Sequence, residues 1–308
     1  MKAFSVTQPG VFNYSDQKIP VLEAGEVLLE IKRLGYCGSD LNTWRGRNPM
    51  VSYPRIIGHE ISAVIKKIGH DVPGNIKCGQ NATVIPYTTC GKCTSCRQGR
   101  SNACQYNQTL GVQRDGAFRE YLAIPWPKLL INERLSLDEL VMVEPMSVGF
   151  HAVKRARITD RDTVAVFGCG MIGIGAIAGA AARGTSVIAI DIDPGKLELA
   201  RKSGAVYTIN STHENLHDRL LEITNGDGPL AMIEAVGLPL TFRQAVEEVA
   251  FAGRVVYIGY AKEPVEYETK IFVQKELDIM GSRNADPDDF QSVIQAISSG
   301  SIPIEALI

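Results

Sequence analysis

Four of the chain's seven cysteines, Cys90, Cys93, Cys96 and Cys104, fall within fifteen residues at the spacing C-x2-C-x2-C-x7-C. Four thiolates that close together suit the tetrahedral, all-sulfur shell of a closed structural zinc site. In a reducing compartment such a cluster reads as a metal site rather than a disulfide framework. The loop 90–104 carries Gly91, Lys92, Arg97, Gly99 and Arg100 but few apolar residues. It lacks the hydrophobic content to fold alone, and its basic residues would offset the negative charge of four thiolates on one divalent ion.

A second set of metal-binding residue types is scattered. Cys37 stands in Gly35-Tyr36-Cys37-Gly38-Ser39-Asp40, His59 in Gly58-His59-Glu60, and Glu144 in Val143-Glu144-Pro145. A catalytic zinc takes three protein ligands and leaves a position open. Cys37, His59 and a carboxylate would supply them, and spacing does not choose between Glu60 and Glu144. Taken singly, Cys37 or His59 also reads as a buried structural residue, and Glu144 as a helix end. An open zinc site makes the hydroxyl of an alcohol more acidic. Ser39 is the candidate to accept that proton; its plainer role would be to cap the next helix.

The third constellation is Gly168-Cys169-Gly170-Met171-Ile172-Gly173, placed between a β-branched run and a helix-like one. In that context the first glycine permits a tight turn, the second lets backbone approach a pyrophosphate, and the third packs helix on strand. The diphosphate would rest at the helix N-terminus, on Met171 and Ile172 as well as the glycines. Eighteen residues beyond Gly173 stands Asp191, a carboxylate able to bind both ribose hydroxyls and to repel a 2'-phosphate. No arginine follows it directly, so NAD is favoured over NADP. Asp193 better fits the role of capping the Pro194 helix.

The elements that must carry these residues form two groups. Up to residue 147 the chain shows short alternating runs, such as Glu26 to Lys32, Ile61 to Ile68 and Asn81 to Pro86, broken by Gly, Pro and Asn. That texture predicts a β-rich domain. From 148 onward apolar runs at Thr163, Ser186, Val206, Leu230, Arg254 and Leu277 alternate with helix-length segments, which predicts a parallel, doubly wound α/β sheet. Residues 163–182 carry no charge and are long enough for a bilayer span. Their Thr-Val-Ala-Val-Phe opening and glycine turn predict strand, turn and helix instead. Lysine plus arginine (32) nearly balance aspartate plus glutamate (34), which disfavours nucleic acid or an anionic membrane as partner and favours a small molecule. The N-terminus lacks the apolar stretch of a secretory signal, so a cytoplasmic protein is expected. Cys78 is expected to be a buried hydrophobe, and His70, His213 and His217 to lie on the surface.

Taken together, the Cys-Gly-Ser-Asp segment, Tyr53-Pro54-Arg55 leading to Gly58-His59-Glu60, the four-cysteine loop, Asp115-Gly116-Ala117-Phe118 with Glu120-Tyr121, Glu144-Pro145 and the Gly168 loop make the chain resemble the zinc-containing medium-chain dehydrogenase/reductase family over nearly its whole length. The resemblance implies a GroES-like catalytic domain (1–147), a Rossmann NAD-binding domain (148–285) and a return of 286–308 to the catalytic domain, with a cleft between the two. It also implies two zinc ions per chain, NAD as hydride acceptor and a homodimer or homotetramer formed along the edge of the Rossmann sheet. Within the family the chain is most similar to the sorbitol, threonine and sugar-acid dehydrogenases. Met280-Gly281-Ser282-Arg283-Asn284 resembles the 5-dehydrogenases of hexonates such as L-galactonate or L-gulonate. In that branch Cys37 and His59 match zinc ligands, while Glu60 and Glu144 share the remaining role. Trp44, Arg45, Phe118 and Arg283 are candidates for the substrate pocket, an arginine being suited to pair with a sugar-acid carboxylate. Two departures stand out. Asn42 replaces a histidine that family members use in proton relay, and an amide does not titrate near neutral pH. The chain stops at Ile308 where relatives usually continue, so part of the catalytic domain is expected to be missing. The reading is a polyol or sugar-acid dehydrogenase, with a threonine or simple secondary-alcohol dehydrogenase, or a non-catalytic zinc- and nucleotide-binding regulator, as alternatives.

Overall fold

A computed structural model describes residues Met1–Ile308, which divide into two compact units, Met1–Glu144 and Pro145–Ile308. The first is built on strands. β1 (Lys2–Gln8), β2 (Val11–Asp16) and β4 (Arg55–Ile56) form a small antiparallel sheet in the order β2-β1-β4. β3 (Glu26–Leu34), β5 (Ile61–Ile68), β6 (Asn81–Val84), β7 (Tyr121–Pro125) and β8 (Leu129–Ile131) form a second, in the order β7-β3-β5-β6-β8. Period-two alternation puts Val27 and Leu29, Ile61, Ala63 and Ile65, and Leu122 and Ile124 into one core. The register of β3 on β5 shifts twice, between Leu28 and Leu29 and between Ile31 and Arg33. Such irregularities bend a strand, and here they precede the segment that delivers Cys37.

The second unit carries six parallel strands, β9 (Thr163–Phe167), β10 (Ser186–Asp191), β11 (Tyr207–Asn210), β12 (Ala231–Glu234), β13 (Arg254–Tyr257) and β14 (Asp278–Gly281). Their order, β11-β10-β9-β12-β13-β14, reverses direction between β9 and β12. In open parallel sheets ligands settle at the carboxyl ends of the strands at that reversal. All six apolar runs of the sequence fall on these strands. The uncharged stretch 163–182 becomes β9 and the helix Met171–Ala181, and no helix of the chain is long and apolar enough to cross a membrane.

Residues 286–308, expected to return to the N-terminal domain, group instead with the second unit. The helix Pro287–Ser298 buries Phe290, Val293, Ile294 and Ile297 along one face. At its start His151 Nδ1 lies 2.6 Å from Asp289 Oδ2, and Lys154 Nζ donates to Asp286 Oδ2 at 2.9 Å. Burial and ion pairing thus bind this helix to residues of its own unit. A second correction concerns Cys78, which is exposed: it sits in the turn joining β5 to β6, where no packed face is available to cover it. His70, His213 and His217 are exposed, as expected.

Phe290 is completely buried. Phe290→Ala should cost the second unit about 3–5 kcal/mol through lost transfer energy and the cavity left behind. Urea unfolding followed by fluorescence would show the drop; a change of a few tenths would mean that the helix is not part of that unit's cooperative core.

Candidate active site

The first unit brings Cys37, His59 and Glu60 together, with one ligand atom from each inside a mutual 4.8 Å. Cys37 ends the connection from β3 and serves as N-cap of the helix Gly38–Trp44. His59 and Glu60 lie between β4 and β5. The two segments are held in place by a carboxylate whose role its sequence context does not reveal. Asp40, only 2% exposed, accepts the Cys37 N–H at 3.1 Å and the Gly58 N–H at 3.2 Å, and its Oδ1 stands 3.9 Å from His59 Nδ1. Gly35 is needed here for closeness, because a Cβ at that position would come within 2.9 Å of Glu60 Cβ.

Glu144, in the first turn of the helix Val143–Arg155, is buried beside this trio but is not one of the three. Its Oε1 accepts the hydroxyl of Tyr87 at 2.5 Å. Tyr87 was missed in the sequence, where a tyrosine just past a strand reads as packing.

The electrostatics of the cluster are lopsided. Burial raises the pKa of Glu144, and burial together with the Glu144 charge pushes Glu60 up to about 7. Burial opposes the charge on His59, yet Cys37, Glu144 and Asp40 push it up to about 10. His59 Nδ1 is buried with no hydrogen-bond partner. A thiol, three buried carboxylates and an unpartnered imidazole nitrogen facing one another are a donor set that fits a divalent cation. Ser39 is not the helix cap, since Cys37 holds that place, and its Oγ is buried without a partner.

The four cysteines of the loop also converge, their sulfurs within 4.8 Å, with no disulfide among them. Backbone N–H groups of Cys90 and Cys93 point at the sulfurs of Cys104 and Cys90, at 3.4 and 3.3 Å. The Ser95 hydroxyl and nearby backbone N–H groups pull the Cys93 thiol down to about 5. Donors aimed at sulfur favour thiolates, the form that binds metal.

In the second unit Gly168, at φ +87°, makes the turn after β9, and Gly170 caps the helix Met171–Ala181. A Cβ on Gly170 would meet nothing within 4 Å, whereas one on Gly173 would strike the Gly168 carbonyl. One glycine leaves room for a ligand and the other for the protein. Met171 and Ile172 are half-buried in the first helical turn. Asp191 ends β10 and its carboxylate accepts N–H groups from Cys169 at 2.7 Å, Ile192 at 2.8 Å and Asp193 at 3.0 Å. Asp193 caps the helix Pro194–Lys202. Glu234, at the end of β12, went unnoticed in the sequence. Fully buried, it accepts from Val236 N, Gly237 N and Thr241 Oγ1 and so shapes the loop that Gly168 packs against.

Of the candidate pocket residues, Trp44 and Phe118 stand at two points of an aromatic row. Trp44 stacks on Phe12 (6.3 Å), Phe12 on Phe4 (4.5 Å), and Phe118 packs on Phe4 (5.0 Å) and Tyr36 (5.5 Å). Arg45 is exposed at the helix end. Arg283 is half-buried just after β14, in the second unit.

The profile of the alcohol dehydrogenase GroES-like domain matches residues 23–133, and that of the zinc-binding dehydrogenase domain matches 172–299. L-galactonate-5-dehydrogenase of Escherichia coli (strain K12) is 33% identical over all of this chain and 90% of its own length. The chain belongs to the zinc-containing medium-chain dehydrogenase/reductase family. Its matches within the family include the polyol and sugar-acid branch. Sorbitol dehydrogenase of Bacillus subtilis (strain 168) is 33% identical over 94% of the chain and 84% of its own length. An alcohol dehydrogenase from E. coli CFT073, solved with the cofactor NADH, superposes with a TM-score of 0.92 at 33% identity, covering 99% of this chain and 90% of that one. Membership makes the protein a zinc-dependent alcohol or polyol dehydrogenase, and the fold is the GroES-like plus Rossmann pair that the family shares.

Cys96→Ser should remove one zinc per chain in elemental analysis and expose the 90–104 loop to proteolysis, since the loop has little apolar content to hold it. Unchanged metal content would show that the four sulfurs do not share an ion.

Proposed function

We propose that the protein oxidises a secondary hydroxyl of a polyol or sugar acid, a hexonate such as L-galactonate or L-gulonate, with NAD as hydride acceptor. The observation that carries this reading is the convergence of Cys37, His59 and Glu60 in a buried, cation-demanding cluster. The convergence of Glu60 with Cys37 and His59 supports it as third donor. When bound there, zinc supplies Lewis acidity toward the alcohol oxygen. This chain's residues do the rest. Asp40 holds the Cys37 and His59 segments in register. Ser39 Oγ, buried and unpartnered, accepts the hydroxyl proton. Asn42, an amide that does not titrate near neutral pH, stands where a histidine would carry that proton onward, so the chain supplies no titratable side chain at this point of a relay. The four cysteines hold a second, structural zinc.

The Gly168 loop and the N-terminus of the helix Met171–Ala181 bind the pyrophosphate, Gly170 giving the open approach. Asp191 receives the adenosine ribose and repels a 2'-phosphate, which supports NAD over NADP. Trp44, Arg45, Phe118 and Arg283 are the candidates for substrate contact, an arginine being suited to pair with a sugar-acid carboxylate. Residues 1–147 act as the catalytic domain and 148–285 as the NAD-binding domain. β14 closes the sheet with an exposed edge, which suits a homodimer or homotetramer assembled along it.

A panel of L-galactonate, L-gulonate, sorbitol, galactitol, L-threonine and 2,3-butanediol, each with NAD and with NADP and read as absorbance at the reduced-nicotinamide band, tests the reading. A hexonate with NAD should give the highest kcat/KM. Preference for threonine or butanediol would overturn the substrate class, and preference for NADP the role of Asp191.

A further inference from the structure

The strand order of the second unit reverses between β9 and β12, and a dinucleotide laid across that reversal puts one nucleotide on each side of it. Asp191, at the end of β10, takes the adenosine ribose on one side. The nicotinamide half then falls on the other, over the loops that follow β12 and β13. Those loops expose Val236, Leu238 and Tyr260, large side chains able to pack on a ring.

Beneath them lies a carboxylate that no step of the chemistry uses. Glu234 is fully buried, and its three donors, Val236 N–H at 2.9 Å, Gly237 N–H at 2.7 Å and the Thr241 hydroxyl at 2.8 Å, all converge on Oε1. Oε2 has no hydrogen-bond partner and faces Gly259, where a Cβ would lie 2.4 Å from it. The backbone carbonyl of Glu234 accepts the N–H groups of Ile258 at 2.9 Å and Gly259 at 3.1 Å. One residue thus fixes both loops, the first through its carboxylate and the second through its carbonyl. The loops also press on each other: a Cβ on Gly237, at φ +86°, would come within 3.0 Å of the Tyr260 carbonyl oxygen. The helix Pro239–Glu248 starts from Leu238, which offers no side-chain cap, so Glu234 is the acceptor that the turn before this helix would otherwise lack. A buried carboxylate is costly unless it is bonded, and an apolar side chain would serve the sheet as well. Its use here lies in the loop it shapes.

We propose that Glu234 is a positioning residue for the nicotinamide half of the cofactor, holding the loops 235–237 and 258–260 in the shape that receives the ring while remaining beneath them. This rests on the reading of Asp191 as the acceptor of the adenosine ribose.

The test compares full-length wild type with Glu234→Asp, Glu234→Ala and Glu234→Gln. NADH binding is read by its fluorescence, and binding of ADP-ribose, which lacks the nicotinamide, by calorimetry. Glutamine keeps an oxygen within reach of the three donors, whereas aspartate keeps the charge on a side chain one methylene too short. Glu234→Asp and Glu234→Ala should bind NADH about tenfold more weakly, the effect of leaving buried N–H groups without an acceptor, and should bind ADP-ribose as wild type does. Glu234→Gln should match wild type for both ligands. Should Glu234→Ala fail to fold, Glu234→Asp carries the comparison. Equal loss of NADH and ADP-ribose, or loss of neither, overturns the proposal. So does a Glu234→Gln protein as weak as Glu234→Ala, or a Glu234→Asp protein as tight as wild type, because charge rather than reach would then matter. In Asp191→Ala, ADP-ribose should bind more weakly. Unchanged ADP-ribose binding there would overturn the placement of the adenosine half, and this proposal with it.

Discussion

Asp40, Glu60 and Glu144 and the thiol of Cys37 crowd around a single buried histidine, and a protein interior does not carry that much negative charge uncompensated. Left to themselves the groups would hold protons, which is the direction in which burial drives the two glutamates and their neighbours drive His59. A divalent cation discharges the cluster better, because it satisfies thiolate, imidazole and carboxylate at once. The first unit is arranged around that need. A twice-shifted β3 delivers Cys37, Asp40 ties the Cys37 segment to Gly58, and Gly35 gives up its side chain so that Glu60 can come close.

In the proposed reading the second unit also meets negative charge, that of a pyrophosphate. A pyrophosphate would need donors, and the chain offers free N–H groups at the start of a helix rather than cations. Three glycines make this possible in three ways: a left-handed turn at 168, open space at 170 and backbone contact at 173. Glu234 and Asp191 complete the rim by accepting loop N–H groups at the ends of β12 and β10. Polar atoms that would otherwise be stranded at strand ends are thereby paired, and the loops around the reversal point take one shape.

Much of this was legible in the sequence because it rests on local patterns. The six strands of the parallel sheet announced themselves as apolar runs, and the cysteine spacing of 90–104 carried its own geometry. What escaped depends on partners remote in the chain. Asp40 acts on Gly58, eighteen residues away, and Tyr87 on Glu144, fifty-seven away. Neither residue type betrays such a role. The choice between Glu60 and Glu144 stayed open in the sequence for the same reason: both are carboxylates beside family motifs, and only the fold shows which side chain converges with Cys37 and His59. The fate of 286–308 also turned on long-range pairing, through His151 with Asp289 and Lys154 with Asp286.

The central claim is that one cation balances the buried cluster at Cys37, His59 and Glu60. Anomalous diffraction from crystals of the zinc-loaded protein, collected on either side of the zinc absorption edge, addresses it directly. The account predicts two peaks per chain, one among the four cysteine sulfurs and one in contact with Cys37, His59 and Glu60, with Glu144 still bonded to Tyr87. An enzyme active in the crystal preparation that shows no zinc peak beside Cys37 and His59 would contradict it.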